Sequence, residues 1–164
     1  MFDVPILIIF YNRSSTLVKV LQKVKKINPK KIYFFCDGPK NDKDSQLVDS
    51  ARKSVDKFFF SKNCTVKKKY LIQNKGLRNG VISAIDWFFS QEEKGIILED
   101  DCVPNESFFT YCKENLLYHK NNMKVMNIGG LNLVEQLYEK NFYPKSYSYF
   151  FTKSPMIWGW ATWK

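Results

Sequence analysis

The chain has 164 residues, 45% of them hydrophobic, and a formal net charge of +10, which suits one domain with a real core and is too short for two. No run approaches the roughly 18 to 20 apolar residues of a membrane span, and the first ten residues carry Asp3 and Pro5 where a signal peptide needs a basic start. The expectation is a soluble, non-exported, cytoplasmic protein, with peripheral association at the inner face of a membrane left open.

Val4 to Phe10 is a strand signal, and Ser14 or Ser15 can cap a helix whose Leu17, Val20, Leu21 and Val24 recur at i, i+3, i+4 and i+7. Pro29 stops that helix. Lys31 to Cys36 is a second buried strand, closed by the turn composition Asp37-Gly38-Pro39. Asp44 or Ser45 then opens a helix with Leu47, Val48, Ala51, Val55 and Phe58 on one face. Thr65 to Gln73 reads as a third strand ending in the turn Asn74-Lys75-Gly76, and the segment Leu77 to Gln91 places Val81, Ile82, Ile85, Phe88 and Phe89 at helical spacing. Gly95 to Leu98 is short and wholly apolar, as in the buried middle of a parallel sheet. Pro104 and Asn105 introduce a helix with Phe108, Phe109, Cys112 and Leu116 inward, and Val125 to Ile128 before Gly129-Gly130 predicts a fifth strand. This β-α alternation predicts an α/β fold with a mostly parallel central sheet and helices on both faces. From Leu131 the regularity fades into an aromatic tail containing Tyr138, Phe142, Tyr143, Tyr147, Tyr149, Phe150, Phe151, Trp158, Trp160 and Trp163.

In open parallel sheets the ligand site lies beyond the carboxyl ends of the strands. Four polar clusters occupy such ends and should meet at one rim: Asn12-Arg13, Asp37, Gln73-Asn74 and Glu99-Asp100-Asp101. Three adjacent carboxylates repel one another unless a cation or several donors complete them. Mg²⁺ or Mn²⁺ takes one or two protein carboxylates and leaves its other positions to water and phosphates, which suits an acidic cluster with no histidine nearby; a solvated turn is the plainer reading. Asn12 can cap the first helix, whereas the planar fork of Arg13 matches phosphate oxygens. Asp37 fits either an Asx turn or an acceptor for a nucleoside N–H. Neither GxGxxG nor GxxxxGK[ST] occurs, which excludes the dinucleotide and P-loop readings.

Cys36, Cys64, Cys102 and Cys112 form no CxxC pair, so reduced thiols are expected. The single histidine, His119, reads as a solvated surface residue. Lys23, Lys25 and Lys26 end one helix, Lys30 and Lys31 open a strand and Lys67 to Lys69 enter another; scattered in this way they read as solvated surface, and no nucleic acid partner is expected. The tryptophans serve either sugar stacking or an aromatic core.

Together, Pro5 to Arg13, Asp37-Gly38, Asn74 to Leu77, Ile97 to Pro104, Ser107 to Phe109 and Pro155 to Trp163 resemble the donor half of a GT-A glycosyltransferase. The likeness is closest to bacterial relatives of the N-acetylglucosaminyltransferase that starts complex N-glycans, and it runs in order over residues 1 to about 130. The resemblance implies a Rossmann-like nucleotide-sugar-binding domain over 1–130 and the start of an acceptor-side region over 131–164, with the rest of that region missing. It implies a nucleoside diphosphate sugar donor, with uridine the expected base, a glycan acceptor and Mn²⁺ or Mg²⁺. Glu99-Asp100-Asp101 then stands in the role of the DxD motif: Asp101 on the metal, Asp100 on the ribose and Glu99 on the sugar. Asn12, Arg13, Asp37, Asn74 and Arg78 complete the donor site. The acceptor base of such enzymes follows the tryptophan-rich segment, so no catalytic residue is matched here, and Glu135 is the nearby carboxylate to test. The rivals are a sugar-nucleotide nucleotidyltransferase, which wants a glycine-rich first loop where this chain has Tyr11-Asn12-Arg13-Ser14-Ser15, and a basic domain binding nucleic acid or acidic glycan.

Overall fold

The structure is a computed structural model and describes residues 1–133 and 148–164. Glu135, Tyr138, Phe142, Tyr143 and Tyr147 lie outside the described residues. The elements are β1 (Ile6–Phe10), α1 (Ser14–Lys26), β2 (Lys31–Cys36), α2 (Asp42–Lys57), β3 (Thr65–Tyr70), α3 (Gly76–Phe89), β4 (Lys94–Glu99), α4 (Glu106–Tyr118), β5 (Ile128–Gly129) and β6 (Trp160–Trp163). Among the described residues these strands form a six-stranded sheet in the order β3-β2-β1-β4-β6-β5. β3, β2, β1 and β4 are parallel, and β6 runs antiparallel to both of its neighbours. The chain is thus an α/β protein with a mostly parallel sheet.

Successive side chains on a strand alternate between faces, and here both faces are apolar. Ile6, Ile8, Phe10, Ile32, Phe34, Cys36, Ile96 and Leu98 pack under α1, α2 and α4, which contribute Leu17, Val20, Leu21, Val24, Val48, Ala51, Val55, Phe109, Cys112 and Leu116. Leu7, Tyr33, Phe35 and Ile97 pack under α3 through Ala84, Phe88 and Phe89. Helices therefore cover both faces, as the alternation predicts. All four thiols are free, and among the described residues no helix is long and apolar enough to cross a membrane.

Several expectations need correction. Arg13, not Ser14 or Ser15, stands at the N-cap of α1, and no side chain caps that helix. Asn41 caps α2 by accepting from the Asp44 N–H at 3.0 Å, so the helix opens at Asp42. Leu47 is 54% exposed and Ile82 47% exposed, because the apolar face of each helix is narrower than the apolar spacing suggests. β3 ends at Tyr70, three residues early, since Leu71 onward turns into the loop before α3. β5 is two residues long, and the position beside β4 belongs to β6.

Candidate functional site

Because β1 to β4 are parallel, their carboxyl ends lie on one edge of the sheet. The chain steps outward from β1 to β2 to β3, then returns through α3 to place β4 on the far side of β1. The direction of winding reverses between β1 and β4, which in open α/β sheets leaves a crevice where ligands bind.

The loop leaving β1 spans that crevice. Tyr11 donates its N–H to Asp100 Oδ2 at 3.1 Å, and the Arg13 guanidinium donates through Nη2 to Asp100 Oδ1 and through Nη1 to Asp101 Oδ2, the latter at 2.8 Å. Asp100 is buried, at 2% exposure, and both of its oxygens are thereby satisfied, which is what a buried carboxylate requires. Asp101 keeps 45% of its side chain exposed. Glu99 is half-buried and closes β4. Burial first, and then the charges of Asp101 and Asp100, push its carboxyl above the ordinary range against the pull of Arg13. Burial opposes the charge on Arg13, but the hydrogen bond and charge of Asp100, with Asp101 behind it, hold its proton more tightly than usual. Two carboxylates thus share one guanidinium, and a third feels its charge.

A second network adjoins the first. Asp44, in the first turn of α2, accepts from the Tyr11 hydroxyl, from Asn12 Nδ2 at 2.8 Å and from the Lys40 N–H at 3.0 Å. Burial alone would raise the Asp44 carboxyl, but these donors, Tyr11 foremost, hold it below its ordinary value. Asn12 therefore fastens the β1 loop to α2 and does not cap α1. Asn74 donates through Nδ2 to the Gly38 carbonyl at 2.6 Å and to the Tyr11 hydroxyl at 3.3 Å, and its Oδ1 accepts from the Gly76 N–H at 3.0 Å.

Asp37 accepts from the Gly38 N–H at 2.9 Å, one residue on, and also from the Lys75 N–H at 2.9 and 3.1 Å; this is not an Asx turn, whose donor two residues on would be Pro39, which has no N–H. The Lys75 side chain does not cap α3, so the Asp37 carboxylate, directly after β2, supplies that function at the helix end where negative charge is favoured. Gly38 lies so close to the Ile72 and Gln73 backbone that a Cβ would collide with it. Arg78 is exposed.

The structure therefore brings Asn12, Arg13, Asp37, Asn74, Asp100 and Asp101 into one connected rim, with Glu99 adjoining and Arg78 outside the hydrogen bonding. Sequence reasoning missed Asp44, whose spacing after Asn41 signals only a helix start, and Tyr11, whose hydroxyl joins both networks.

Beside Asp101 a groove opens toward β6, lined among others by Leu98, Cys102, Phe108, Met156 and Trp158. Trp160 packs on the α3 side of the sheet, and Trp163 packs on the other and donates Nε1 to the Leu116 carbonyl at 3.3 Å; Trp158 is 62% exposed. Two of the three tail tryptophans are therefore half-buried against the core. His119 is not a surface residue: it is 6% exposed, with Nε2 3.2 Å from the Tyr149 hydroxyl and the rings of Tyr118, Tyr149 and Phe151 around it. The aromatic residues that follow in the tail cover it, which the polar sequence around it conceals.

Among the described residues no group of three or more His, Cys, Asp or Glu side chains converges as a metal cage. Both oxygens of the buried Asp100 accept from N–H donors, whereas the exposed Asp101 gives one oxygen to Arg13 and the other to a long contact from the Cys102 thiol at 3.9 Å. That donor set suits a hard divalent ion held by one carboxylate, with water and phosphate completing its shell. Compared with known protein families and with curated proteins, the chain matches none.

Proposed function

We propose that this chain is the nucleotide-sugar-binding part of a metal-dependent glycosyltransferase of the GT-A type, with a uridine diphosphate sugar as donor and a glycan as acceptor. One observation carries the reading: the acidic pair directly after β4 is bridged by an arginine from the loop after β1, at the point where the strand order reverses. The basic-module reading has no use for a buried, fully hydrogen-bonded aspartate beside an exposed one. A glycosyl donor does, because its diphosphate needs both a cation and a fixed donor fork.

In this reading Asp101 holds Mn²⁺ or Mg²⁺, and the bound ion supplies charge neutralisation for the departing diphosphate. Arg13 is held by Asp100 at a fixed angle, so that its guanidinium is already oriented when phosphate oxygens arrive. The raised Glu99 carboxyl lies at the sugar side, where a protonated acid donates a hydrogen bond and an ionised one accepts. Asp37, Asn74 and the Gly38 carbonyl offer acceptors on the nucleoside side. Transfer further needs a base for the acceptor hydroxyl, and none of these residues fills that role.

Calorimetric titration with uridine diphosphate tests the proposal. Binding is expected with Mn²⁺, not without it, and Asp101→Ala should weaken it at least about a hundredfold, the scale of losing a charge-assisted contact to a bound ion. Equal binding by the variant and the wild type would remove Asp101 from the site and end the metal-dependent reading.

A further inference from the structure

The rim is fastened in two places, and the second fastening comes from a residue that does not belong to the rim. Arg52 lies on the third turn of α2, half-buried, with its guanidinium carbon 5.2 Å from the centre of the Tyr70 ring. Its Nη2 donates to two main-chain carbonyls, that of Leu71 at 2.6 Å and that of Asp37 at 3.0 Å, and its Nε points to the Cys36 sulfur at 3.5 Å. One side chain therefore ties the end of β2 to the end of β3 just where each strand gives way to its loop. Carbonyls at such ends have left the strand ladder and need another donor. An arginine supplies several donors in a rigid plane, which a lysine cannot.

We propose that Arg52 is the positioning residue for the nucleoside half of the site. By holding the Asp37 and Leu71 carbonyls it sets the separation of the β2 and β3 loops, and hence the places of the Asp37 carboxylate, the Gly38 carbonyl and Asn74. The inference rests on the nucleotide-sugar reading. The phosphate half is fastened separately, by Tyr11 and Arg13 on Asp100 and Asp101, and the 3.3 Å contact of Asn74 with the Tyr11 hydroxyl links the halves. Loss of Arg52 should thus damage recognition of the nucleoside and spare recognition of the diphosphate. General destabilisation would damage both.

The experiment titrates uridine diphosphate and inorganic pyrophosphate, each with Mn²⁺, into the wild type, Arg52→Met and Arg52→Lys. Arg52→Met is expected to weaken uridine diphosphate about tenfold and pyrophosphate less than about twofold, the difference being the cost of disordering one half of the rim. Arg52→Lys, which restores the charge and a single contact, should lie between. If Arg52→Met does not fold, the lysine variant carries the test with amide hydrogen exchange: Gly38 and Lys75 should exchange faster while Tyr11, bonded to Asp100, keeps its wild-type rate. Unchanged uridine diphosphate affinity in a folded variant, equal losses for the two ligands, or uniform exchange at all three amides would overturn the proposal. A wild type that binds neither ligand would instead bring down the transferase reading, and this inference with it.

Discussion

At the scale of single residues, the site is governed by where each carboxylate finds its donors. Asp100 and Asp101 are neighbours in sequence, yet the first is buried with both oxygens held by N–H donors and the second is exposed, with Arg13 on one oxygen and only the Cys102 thiol, at 3.9 Å, on the other. The second is the one that solvent, and hence a hydrated cation, can reach. Tyr11 is a further residue whose state is set by a distant partner. Burial first, and then the bond to Asp44, raise its phenol from the ordinary 10.0 to about 12. A phenol raised in the folded state contributes stability fully below its unfolded value and loses it as pH climbs through the folded one. The thermal midpoint of the wild type should therefore fall additionally between about pH 10 and 12, and Tyr11→Phe should lack that additional fall; melting curves across this range measure it. Matching curves for the two proteins would mean that the Tyr11–Asp44 bond adds nothing in solution.

At the scale of elements, the two faces of the sheet are unequally covered. Among the described residues α1, α2 and α4 share one face, while α3 is the helix of the other and rests on Ala84, Phe88 and Phe89. Phe88 is fully buried and meets Tyr33 edge-on at 5.0 Å between ring centres. It also fills the space where a side chain at Gly95 would lie, so α3 and β4 approach closely because one residue is large and the other has none. Phe88→Ala should cost about 3–5 kcal/mol, the range for removing a buried aromatic side chain, as read from the urea midpoint. Since the N-terminus of α3 rests on Asp37, the same variant should loosen the nucleoside side of the rim. The lysines of β3 answer a different need at this scale. β3 is an edge strand, and Lys67, Lys68 and Lys69 lie over Tyr33, Asp56 and Trp87, an arrangement that discourages pairing with another chain's strand. Their charge thus has a local explanation.

At the scale of the whole molecule, a ligand that binds the folded chain stabilises it by mass action. Uridine diphosphate at about a hundred times its dissociation constant, with Mn²⁺, should add about 2.7 kcal/mol and raise the melting temperature by about 5–10 °C for a chain of this size. Asp101→Ala should show no such rise; a rise of equal size in that variant, or one that needs no metal, would contradict the proposed function. Much of the parallel part of the sheet was legible in advance. β2 was read to the residue, and β1, β4 and the helices between them within a few, because runs such as Ile6 to Phe10 and Gly95 to Leu98 are apolar on both faces and the helices carry a 3.6-residue period. Local pattern also singled out Arg13, Asp37, Asn74 and the acidic triplet as polar residues at strand ends. It could not supply their partners. That Arg13 reaches across to residues 100 and 101, that Asp44 gathers Tyr11 and Asn12, that Arg52 joins two loops and that His119 is enclosed are contacts between residues distant in sequence. β6 escaped notice for the same reason: Trp160 to Trp163 is a strand because β4 and β5 stand on either side of it. The amino-acid order by itself determined which segments would bury a face and where the chain would turn, since these depend on neighbours a few positions apart; strand order, hydrogen-bond partners and the burial of individual polar groups were decided only when the whole chain packed, because each depends on which distant surface arrives beside it.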